Sequence, residues 1–427
     1  MSISKDIPEL IEAGIITPET AEQIQQYYKG KSGSSSNRLF VAFGILGAIL
    51  VGLGIILIIA QNWDELSRST KTIFAFLPLI AAQVICAFVL LKKSNNKAWI
   101  ESATTFLFFA VGACISLIGQ IYNIPGNLSS FLLIWMLLCL PLTYVMKSSA
   151  VALLFIVGIT YYAVEASYFS YPITDSSLYW GLLLAVLPQY YFLFRNHPKS
   201  NFLTVENWLI PISITVVLGT LASGASSLMY VAYFSLFGLL YTIGNNAFFK
   251  DKGLRNNSYK VIGTLGTLIL LFIISFEGFW RDIVLEQYVF GNWLTTTEFW
   301  VAIGISLLAL YYLYTHQKNK SLRELPILSP IFLIFIIIFI IGLFSSFAVV
   351  LINLVILTIS IMTIIEGAKK GHLGILNFGL SIITLWIIIR FLNTDLSFVI
   401  RGILLMAIGI GFFTANYWML KKRKKNE

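Results

Sequence analysis

Long apolar segments constrain this chain more than any other feature. Fourteen of them, most about 18 to 24 residues long, occupy nearly all of the sequence after residue 38. A helix of about 20 apolar residues crosses the roughly 30 Å hydrocarbon core of a bilayer. Lipid offers no partners to backbone groups outside a helix or a closed barrel, and the short alternating strands of a barrel are absent. We therefore predict an all-α polytopic transmembrane helical bundle with about 14 spans. The predicted spans are 39–60, 72–91, 100–121, 128–146, 148–168, 177–195, 207–223, 226–249, 259–277, 298–315, 327–344, 346–366, 373–392 and 398–419.

The basic residues are sorted between the connections of these segments. Of the 29 Lys and Arg residues, 24 fall at the termini and in one alternate set of connections, and 5 fall in the other set. Because positive residues are retained on the cytoplasmic side, we predict that both termini are cytoplasmic. Merging two spans would reverse the side of every later loop and spoil this sorting, so the charge pattern also supports the count.

The composition favours lipid over nucleic acid as the surroundings of the chain. Hydrophobic residues make up 58% of it and charged residues 11%, whereas a soluble protein has about 25% charged residues. The net charge of +9 is spread over short inner loops and a basic tail. Such charge fixes topology and attracts anionic lipids, so we expect membrane lipids as partners and no nucleic acid.

The first 30 residues predict a small soluble domain. Ile7, Leu10 and Ile11 give one apolar helical face, and Gly14 follows as a helix end. Thr17 and Pro18 have the residue types of an N-cap and a first helical residue. The predicted organisation is a short cytoplasmic helical hairpin over 1–30, a Gly- and Ser-rich flexible linker over 31–38, a transmembrane domain over 39–420 and a basic cytoplasmic tail over 421–427.

No recognisable catalytic, metal-binding or cofactor-binding pattern occurs in the sequence. The three Cys residues lie in apolar segments without a CxxC spacing, and the three His residues lie in three separate loops. A phosphate-binding glycine loop and a nucleophile–base pair are also missing. We therefore expect no catalytic residues, no metal and no cofactor, and a protein that is not an enzyme.

Charged residues avoid the centres of the predicted spans. All of them fall in loops or within a turn or two of a helix end. Proton-coupled carriers generally place titratable groups near the middle of the bilayer, so the pattern disfavours an ion-coupled pump. Uncharged polar residues do enter the spans, where each can simply bond to a neighbouring helix. They are Gln83, Ser116, Gln120, Gln189, Asn353 and Asn377.

Polar residues converge at four helix ends that share the predicted outer boundary. Arg390 and Arg401 stand against the inner preference of basic residues, and they could pair with Asp395 or Asp64, bind an anionic head group, or extend to the interface. This convergence predicts a ligand-binding site. Its candidate residues are Asn62, Trp63, Asp64, Gln120, Tyr122, Arg390, Asp395 and Arg401.

Two further segments have interpretations that stay open. Stripes of small residues, Gly44-Ala48-Gly52 and Ala407-Gly411-Ala415, allow helices to approach closely, either within one chain or in a homo-oligomer. The aromatic segment 278–297 is typical of a short helix in the membrane interface, which could anchor the chain or cover a cavity.

Several of these motifs, in this order, resemble a bacterial family of predicted multi-pass membrane proteins of unknown function. They are Gly14-Ile-Ile-Thr17, Ala60-Gln-Asn-Trp63 and Gly119-Gln-Ile-Tyr122, and the end of the chain, from Arg390-Phe-Leu-Asn-Thr-Asp395 through Arg401 to the basic tail, is similar as well. The resemblance implies a bacterial inner (cytoplasmic) membrane location and a small cytoplasmic N-terminal domain. It implies no established activity.

Two functions fit these predictions, and a third is disfavoured. A permease or lipid-handling protein would receive its ligand at the outer boundary site. A non-transporting scaffold or sensor would recruit a cytoplasmic protein partner through residues 1–30, and the outer polar residues would only join helices. An enzyme acting on lipid would need a nucleophile or a metal that the sequence does not reveal. Deletion of residues 1–30 separates the first two functions, because only the scaffold would depend on them.

Overall fold

The fold is known from a computed structural model and is helical throughout the residues it describes. These are residues 7, 10–11, 13–61, 66–170, 175–222, 226–250, 253–289, 293–318 and 325–393, with scattered positions between 399 and 417. They contain helices and no strands. The chain divides into two compact units, Met1–Glu206 and Asn207–Glu427, within the span that the sequence analysis treated as a single transmembrane domain.

Among the described residues from Pro18 onwards, the first unit contains six helices and the start of a seventh. They are α1 (Pro18–Gln61), α2 (Arg68–Lys92), α3 (Lys97–Ile121), α4 (Leu128–Val145), α5 (Ser149–Val164), which continues as one π-helical turn over Glu165–Phe169, α6 (Leu178–Asn196) and α7 (Asn201–Leu218), which contains the boundary between the units. Helix α3 lies at the centre of this unit, because α1, α2, α4 and α5 all pack against it.

Polar side chains define where the helices of the first unit begin. Asn96 accepts hydrogen bonds from the N–H groups of Ala98 and Trp99 at the start of α3. Asn127 and Ser148 cap α4 and α5 in the same manner. These caps satisfy backbone donors that have no partner inside the helix, so the short loops have fixed conformations at the ends of long apolar segments.

The N-terminal segment differs from its prediction at the linker. Gly14 has the positive φ of +67° expected where a helix ends, and the Thr17 hydroxyl accepts from the N–H of Thr20 at the start of α1. Helix α1 then runs without a break to Gln61, so residues 31–38 are helical where the sequence predicted a flexible linker. Extending an existing helix needs no new nucleation, and this cooperativity offsets the weak helix preference of Gly and Ser.

Among the described residues, the second unit contains seven longer helices and the single helical turn Ala247–Lys250. The longer helices are α8 (Leu228–Gly244), α9 (Ser258–Ile274), α10 (Glu277–Val289), α11 (Thr297–Gln317), α12 (Ile331–Gly342), α13 (Phe347–Lys370) and α14 (Leu373–Asn393). Helix α8 is buried on all sides, because α9, α11 and α12 pack around it. Its Phe234 stacks on Phe335 of α12 with ring centroids 3.9 Å apart. A helix that is apolar all round requires such a position.

A sharp elbow separates α9 from α10. The two helices are bent by 84° at a short break around Ser275. The Ile274 carbonyl at this break accepts a 2.8 Å hydrogen bond from the Trp280 indole, and Trp280 is only 1% exposed. The predicted interfacial segment therefore begins as a helix, and its first Trp is packed inside the protein.

The number of spans differs from the predicted count. Eight helices are long and apolar enough to cross a membrane, or nine if the bent pair α9–α10 is one span, among the residues that were searched. The apolar part of α1 (Leu39–Gly54), α8 and α12 are shorter. Helix α12, with 12 residues, is about 18 Å long at 1.5 Å per residue, well below a full hydrocarbon core. The predicted count of 14 is thus not confirmed, and its last span, 398–419, lies largely outside the described residues.

Large apolar side chains remain exposed along these helices. Val84 and Leu184 in the first unit, and Leu307 and Ile337 in the second, are each more than half exposed. Exposing so much apolar surface to water would be unfavourable, whereas contact of the same surface with lipid is favourable. The protein is therefore a membrane protein with several apolar helices.

Candidate functional site

A large cavity lies at one end of the first unit. Its volume is about 1260 Å³, and two loops form most of its wall, 92–97 between α2 and α3 and 196–201 between α6 and α7. Both loops were predicted on the inner side of the membrane. We call it the basic cavity, and its lining residues are Val41, Ala42, Ile45, Leu91, Lys92, Lys93, Ser94, Asn95, Asn96, Lys97, Ala98, Leu153, Asn196, His197, Pro198, Lys199, Ser200, Asn201, Phe202 and Val205.

The polar side of the basic cavity is positively charged. Lys92, Lys93, Lys97 and Lys199 line it together with His197, and no Asp or Glu is among its lining residues. Four lysines around one cavity give a positive potential, and field lines are concentrated where low-dielectric walls surround it. The cavity therefore favours an anionic ligand.

Local hydrogen bonds hold both loops in place. The backbone N–H of His197 bonds to the Leu193 carbonyl at the end of α6, and the Ser200 N–H bonds back to the His197 carbonyl. The Ser200 hydroxyl accepts from the N–H of Phe202 at 3.2 Å. In the other loop, Asn96 caps α3. The backbone that carries the cavity lysines therefore has a fixed conformation in both loops.

An apolar groove begins beside the basic cavity. It has a volume of about 530 Å³ and shares Ala98 with the cavity. Helices α1, α2 and α3 form it, with Ser102 as its one polar side chain. We call it the apolar groove, and its lining residues are Phe40, Gly44, Gly47, Ala48, Val51, Ile85, Ala98, Trp99, Ser102, Ala103 and Phe106.

The small-residue stripe of α1 explains how this groove forms. A Cβ atom on Gly44 would lie 2.3 Å from the Ser102 hydroxyl, and one on Gly52 would lie 3.1 Å from Cβ of Phe109. These glycines therefore bring α1 close to α3 within one chain, the first of the two alternatives left open by the sequence. Gly47 has nothing within 4 Å of its Cβ position, so open space remains beside the contact.

Two buried carboxyl groups lie near the same end of the unit. Glu101 of α3 is 4% exposed and accepts hydrogen bonds from the Ser148 hydroxyl at 2.5 Å and from the N–H groups of Ser149 and Ala150 at 3.0 and 2.9 Å. It therefore joins α3 to the N-terminus of α5. Glu206 of α7 is 1% exposed, and it follows Val205, which lines the basic cavity.

The predicted outer site is described only in part. Five of its eight residues, Asn62, Trp63, Asp64, Asp395 and Arg401, lie outside the described residues. Gln120 and Tyr122 are exposed at the end of α3, where the Tyr122 hydroxyl lies 3.2 Å from that of Thr72 in α2. Arg390 belongs to the second unit. The site stays a prediction.

Arg390 has protein partners at the elbow of the second unit. Its Nε and Nη2 donate to Oδ1 of Asn353 at 3.1 and 2.8 Å, and Nη2 also donates to the Ser275 carbonyl. The same Asn353 oxygen accepts from the Trp386 indole at 2.8 Å. The guanidinium lies 5.3 Å from the centre of the Phe276 ring. We call Ser275, Asn353, Trp386 and Arg390 the elbow clamp, since they join α13 and α14 to the break after α9.

The sequence analysis did not identify the basic cavity or Glu206. The lysines were interpreted as topological signals, and the span was placed at 207–223, which left Glu206 outside it. Helix α7 in fact begins at Asn201. The basic loops 92–97 and 196–201 were visible in the sequence, but nothing in their spacing shows that they meet.

Comparison with known families agrees with the resemblance seen in the sequence. Residues 8–152 match the model of a family described as "Predicted membrane protein (DUF2157)", whose function is unknown. The match ends within α5 and covers most of the first unit. No curated protein and no solved structure matches the chain.

Proposed function

We propose that this protein is a lipid-handling membrane protein that binds an anionic amphiphile at the basic cavity. The observation that carries the proposal is the continuity of two surfaces. A positively charged cavity and an apolar groove meet at Ala98. A ligand with an anionic head group and an acyl chain would match both surfaces at once.

The dimensions of the groove support an acyl chain as its occupant. Along α1 the groove extends from Phe40 to Val51, about 17 Å at 1.5 Å per residue. Half of the roughly 30 Å hydrocarbon core, the acyl layer of one leaflet, has a similar depth. Trp99 and Phe106 supply the large apolar surface that such sites usually have.

The predicted outer site belongs to the proposal as a separate element. A permease needs access from both sides of the membrane, and an outer opening is predicted from the sequence alone. Binding at the basic cavity alone would be enough for a lipid-handling protein that acts in one leaflet.

The head-group part of the proposal is tested by changing the charge of the cavity. Each basic residue near an anionic lipid contributes about 1 kcal/mol. The double variant Lys97→Gln/Lys199→Gln should therefore weaken binding of phosphatidylglycerol about thirtyfold, since 1.4 kcal/mol is tenfold. Native mass spectrometry of the detergent-solubilised full chain, titrated with this lipid, measures the change. Phosphatidylcholine should bind weakly to both proteins.

The matched control removes two lysines elsewhere. Lys369→Gln/Lys370→Gln carries the same charge change at the end of α13 and should keep the wild-type affinity. Equal loss in both double variants would show a general charge effect and contradict a specific site. Inorganic phosphate that competes as well as the lipid would show that the cavity binds free anions rather than amphiphiles.

The acyl-chain part is tested by filling the groove. Gly47→Leu places a side chain in the open space of the groove, whereas Gly54→Leu adds the same side chain on α1 at a position that is also open and does not line the groove. Only Gly47→Leu should reduce the preference for long-chain over short-chain phosphatidylglycerol. A third variant, which lacks residues 1–30 but keeps the rest of the chain, should still bind lipid. Loss of lipid binding in this variant would favour the scaffold function.

A further inference from the structure

Glu206 is a buried carboxyl group that the lipid-binding proposal does not use. It is the sixth residue of α7 and is 1% exposed. Both of its carboxyl oxygens are buried and lack a hydrogen-bond partner among the residues that the structure describes. A polar group in this position is unusual, because buried polar atoms nearly always have a partner.

Glu101 is also a buried carboxyl group, but its oxygens have hydrogen-bond donors. Its oxygens accept from one hydroxyl and two backbone N–H groups at the start of α5. Such donors, together with the positive end of the helix dipole, stabilise an ionised carboxylate. The Glu101 oxygens therefore have three donors, whereas those of Glu206 have none among the described residues.

Glu206 has none of these stabilising groups. An ionised, unpaired carboxylate in a buried position is strongly destabilised by its lost hydration, and a charge on the nearby Glu101 would oppose the ionisation of Glu206 further. The charged groups nearest in the chain, His197 and Lys199, face the basic cavity, and α5 carries no charged residue. This environment stabilises a neutral carboxylic acid.

A second polar group lies on the same face of α3. Thr105 follows Glu101 by four residues, which places it one turn further along that face. Its hydroxyl is fully buried and, within the described part of the chain, has no hydrogen-bond partner.

We propose that Glu206 is a proton-binding site next to the basic cavity. Water in the cavity supplies one proton, which neutralises the Glu206 carboxylate, and release returns that proton to the same water. Ionisable residues inside membrane segments commonly mark proton pathways. The inference does not depend on lipid binding, because its readout is the carboxyl group itself.

Infrared difference spectroscopy of the full chain tests this directly. At about pH 7, where an ordinary Glu is fully ionised, wild-type protein should show the carbonyl stretching band of a protonated carboxylic acid. The band should shift when H₂O is replaced by D₂O and should disappear on titration to alkaline pH. Glu206→Gln should remove it, because an amide cannot carry this proton.

Two matched variants identify the group that carries the band. Glu101→Gln should keep it, since the Glu101 oxygens already accept from three donors, and Glu298→Gln should keep it as well, since Glu298 is equally buried but lies in the second unit. If the band survives in Glu206→Gln or is lost only in Glu101→Gln, the proposal is overturned. A wild-type protein without the band, as expected if a metal cation neutralised an ionised Glu206, would also overturn it. If Glu206→Gln fails to fold, absence of the band in the wild-type protein still overturns the proposal, and Glu206→Asp, which keeps a carboxyl group, should keep a shifted band.

Discussion

At the scale of single residues, Asn353 has the most demanding environment. Its oxygen accepts three hydrogen bonds from Trp386 and Arg390, and its amide nitrogen donates to the carbonyls of Val349 and Ser275. One side chain thus satisfies donors from α14 and an acceptor left open by the break after α9. Within a membrane span these groups have no water to replace such a partner.

Removal of this amide should destabilise the second unit. Asn353→Ala leaves the Trp386 indole and the Arg390 guanidinium without their common acceptor, which should cost about 1–3 kcal/mol. Thermal unfolding of the purified protein, followed by tryptophan fluorescence, should show a lower Tm than in the wild type. Ser381→Ala, which removes only an exposed bond within α14, should leave the Tm unchanged. Equal Tm values for all three proteins would show that the elbow clamp contributes no stability.

The sequence identified two members of the elbow clamp but not their contacts. Arg390 was expected to pair with an acidic residue or a head group, and Asn353 to bond with a neighbouring helix. The observed partners are 37 and 115 residues from Arg390 along the chain, and no local pattern predicts such pairs. Asn353 behaves as expected, because its amide joins helices.

At the scale of elements, glycines set the closest helix crossings of the second unit. A Cβ atom on Gly263 of α9 would lie 2.6 Å from the Tyr241 backbone nitrogen and 2.7 Å from the Phe237 carbonyl oxygen of α8. Backbone atoms cannot rotate away as a side chain can. The approach of α8 and α9 therefore depends on the missing side chain.

Alanine at this crossing should separate the two helices. Gly263→Ala should lower stability by about 1–3 kcal/mol, the usual cost of overpacking, although Ala itself favours a helix. The comparison is Gly304→Ala in α11, where a Cβ would meet nothing within 4 Å, so its Tm should stay equal or rise. Urea or heat unfolding in one detergent measures both variants. A Gly263→Ala protein as stable as Gly304→Ala would mean that the crossing tolerates a methyl group.

The apolar pattern predicted most elements and failed at two features. Every predicted segment before residue 393 contains a helix in the structure, because long apolar runs leave the backbone no other choice. The helix ends are shifted by a few residues, except that α1 begins at Pro18, well before the predicted span 39–60. The break at Ser275 was not predicted. The donors that bind the Ser275 carbonyl belong to α13 and α14, which are far from it in the sequence. The helical conformation of residues 31–38 depends on the elements before and after them rather than on their Gly and Ser content.

At the scale of the whole molecule, loops predicted on one side of the membrane meet in the first unit. The loops 92–97 and 196–201 line the same cavity, and Ser148, in the inner connection between α4 and α5, contacts Glu101 near the start of α3. The charge pattern placed all three connections on the cytoplasmic side. Connections on one side of the membrane can be neighbours, so their proximity agrees with placing all three on the same side.

Cysteine labelling should reveal the sidedness of this unit. The native Cys86, Cys114 and Cys139 are buried and should react poorly. A membrane-impermeant thiol reagent added outside intact cells should label Ser69→Cys, at the start of α2, and should label Asn95→Cys only after the membrane is permeabilised. Both positions are exposed in the structure, so accessibility within the protein is matched. The reverse labelling pattern would invert the predicted topology.

The sequence predicts sidedness from a simpler pattern than the one that a binding site requires. The number of Lys and Arg residues in each loop can be counted directly from the sequence, without knowing how the helices pack. A cavity depends on which loops become neighbours, and the division at Glu206 and Asn207 depends on contacts across the whole chain. For this reason the predicted site followed helix ends on the outer side, whereas the basic cavity lies among the loops predicted to be inside.

The elbow clamp also imposes an order on biosynthesis. The Ser275 carbonyl accepts from Asn353 and from Arg390, which follow it by 78 and 115 residues, so the clamp is complete only when Arg390 has been made. At about 5 to 20 residues per second, the ribosome needs roughly 6 to 23 seconds to deliver it. During that interval the Ser275 carbonyl at the bend between the nascent α9 and α10 lacks its later donors. The two helices either stay in the insertion machinery in this bent form, or leave it as a straighter pair that bends when α13 and α14 arrive.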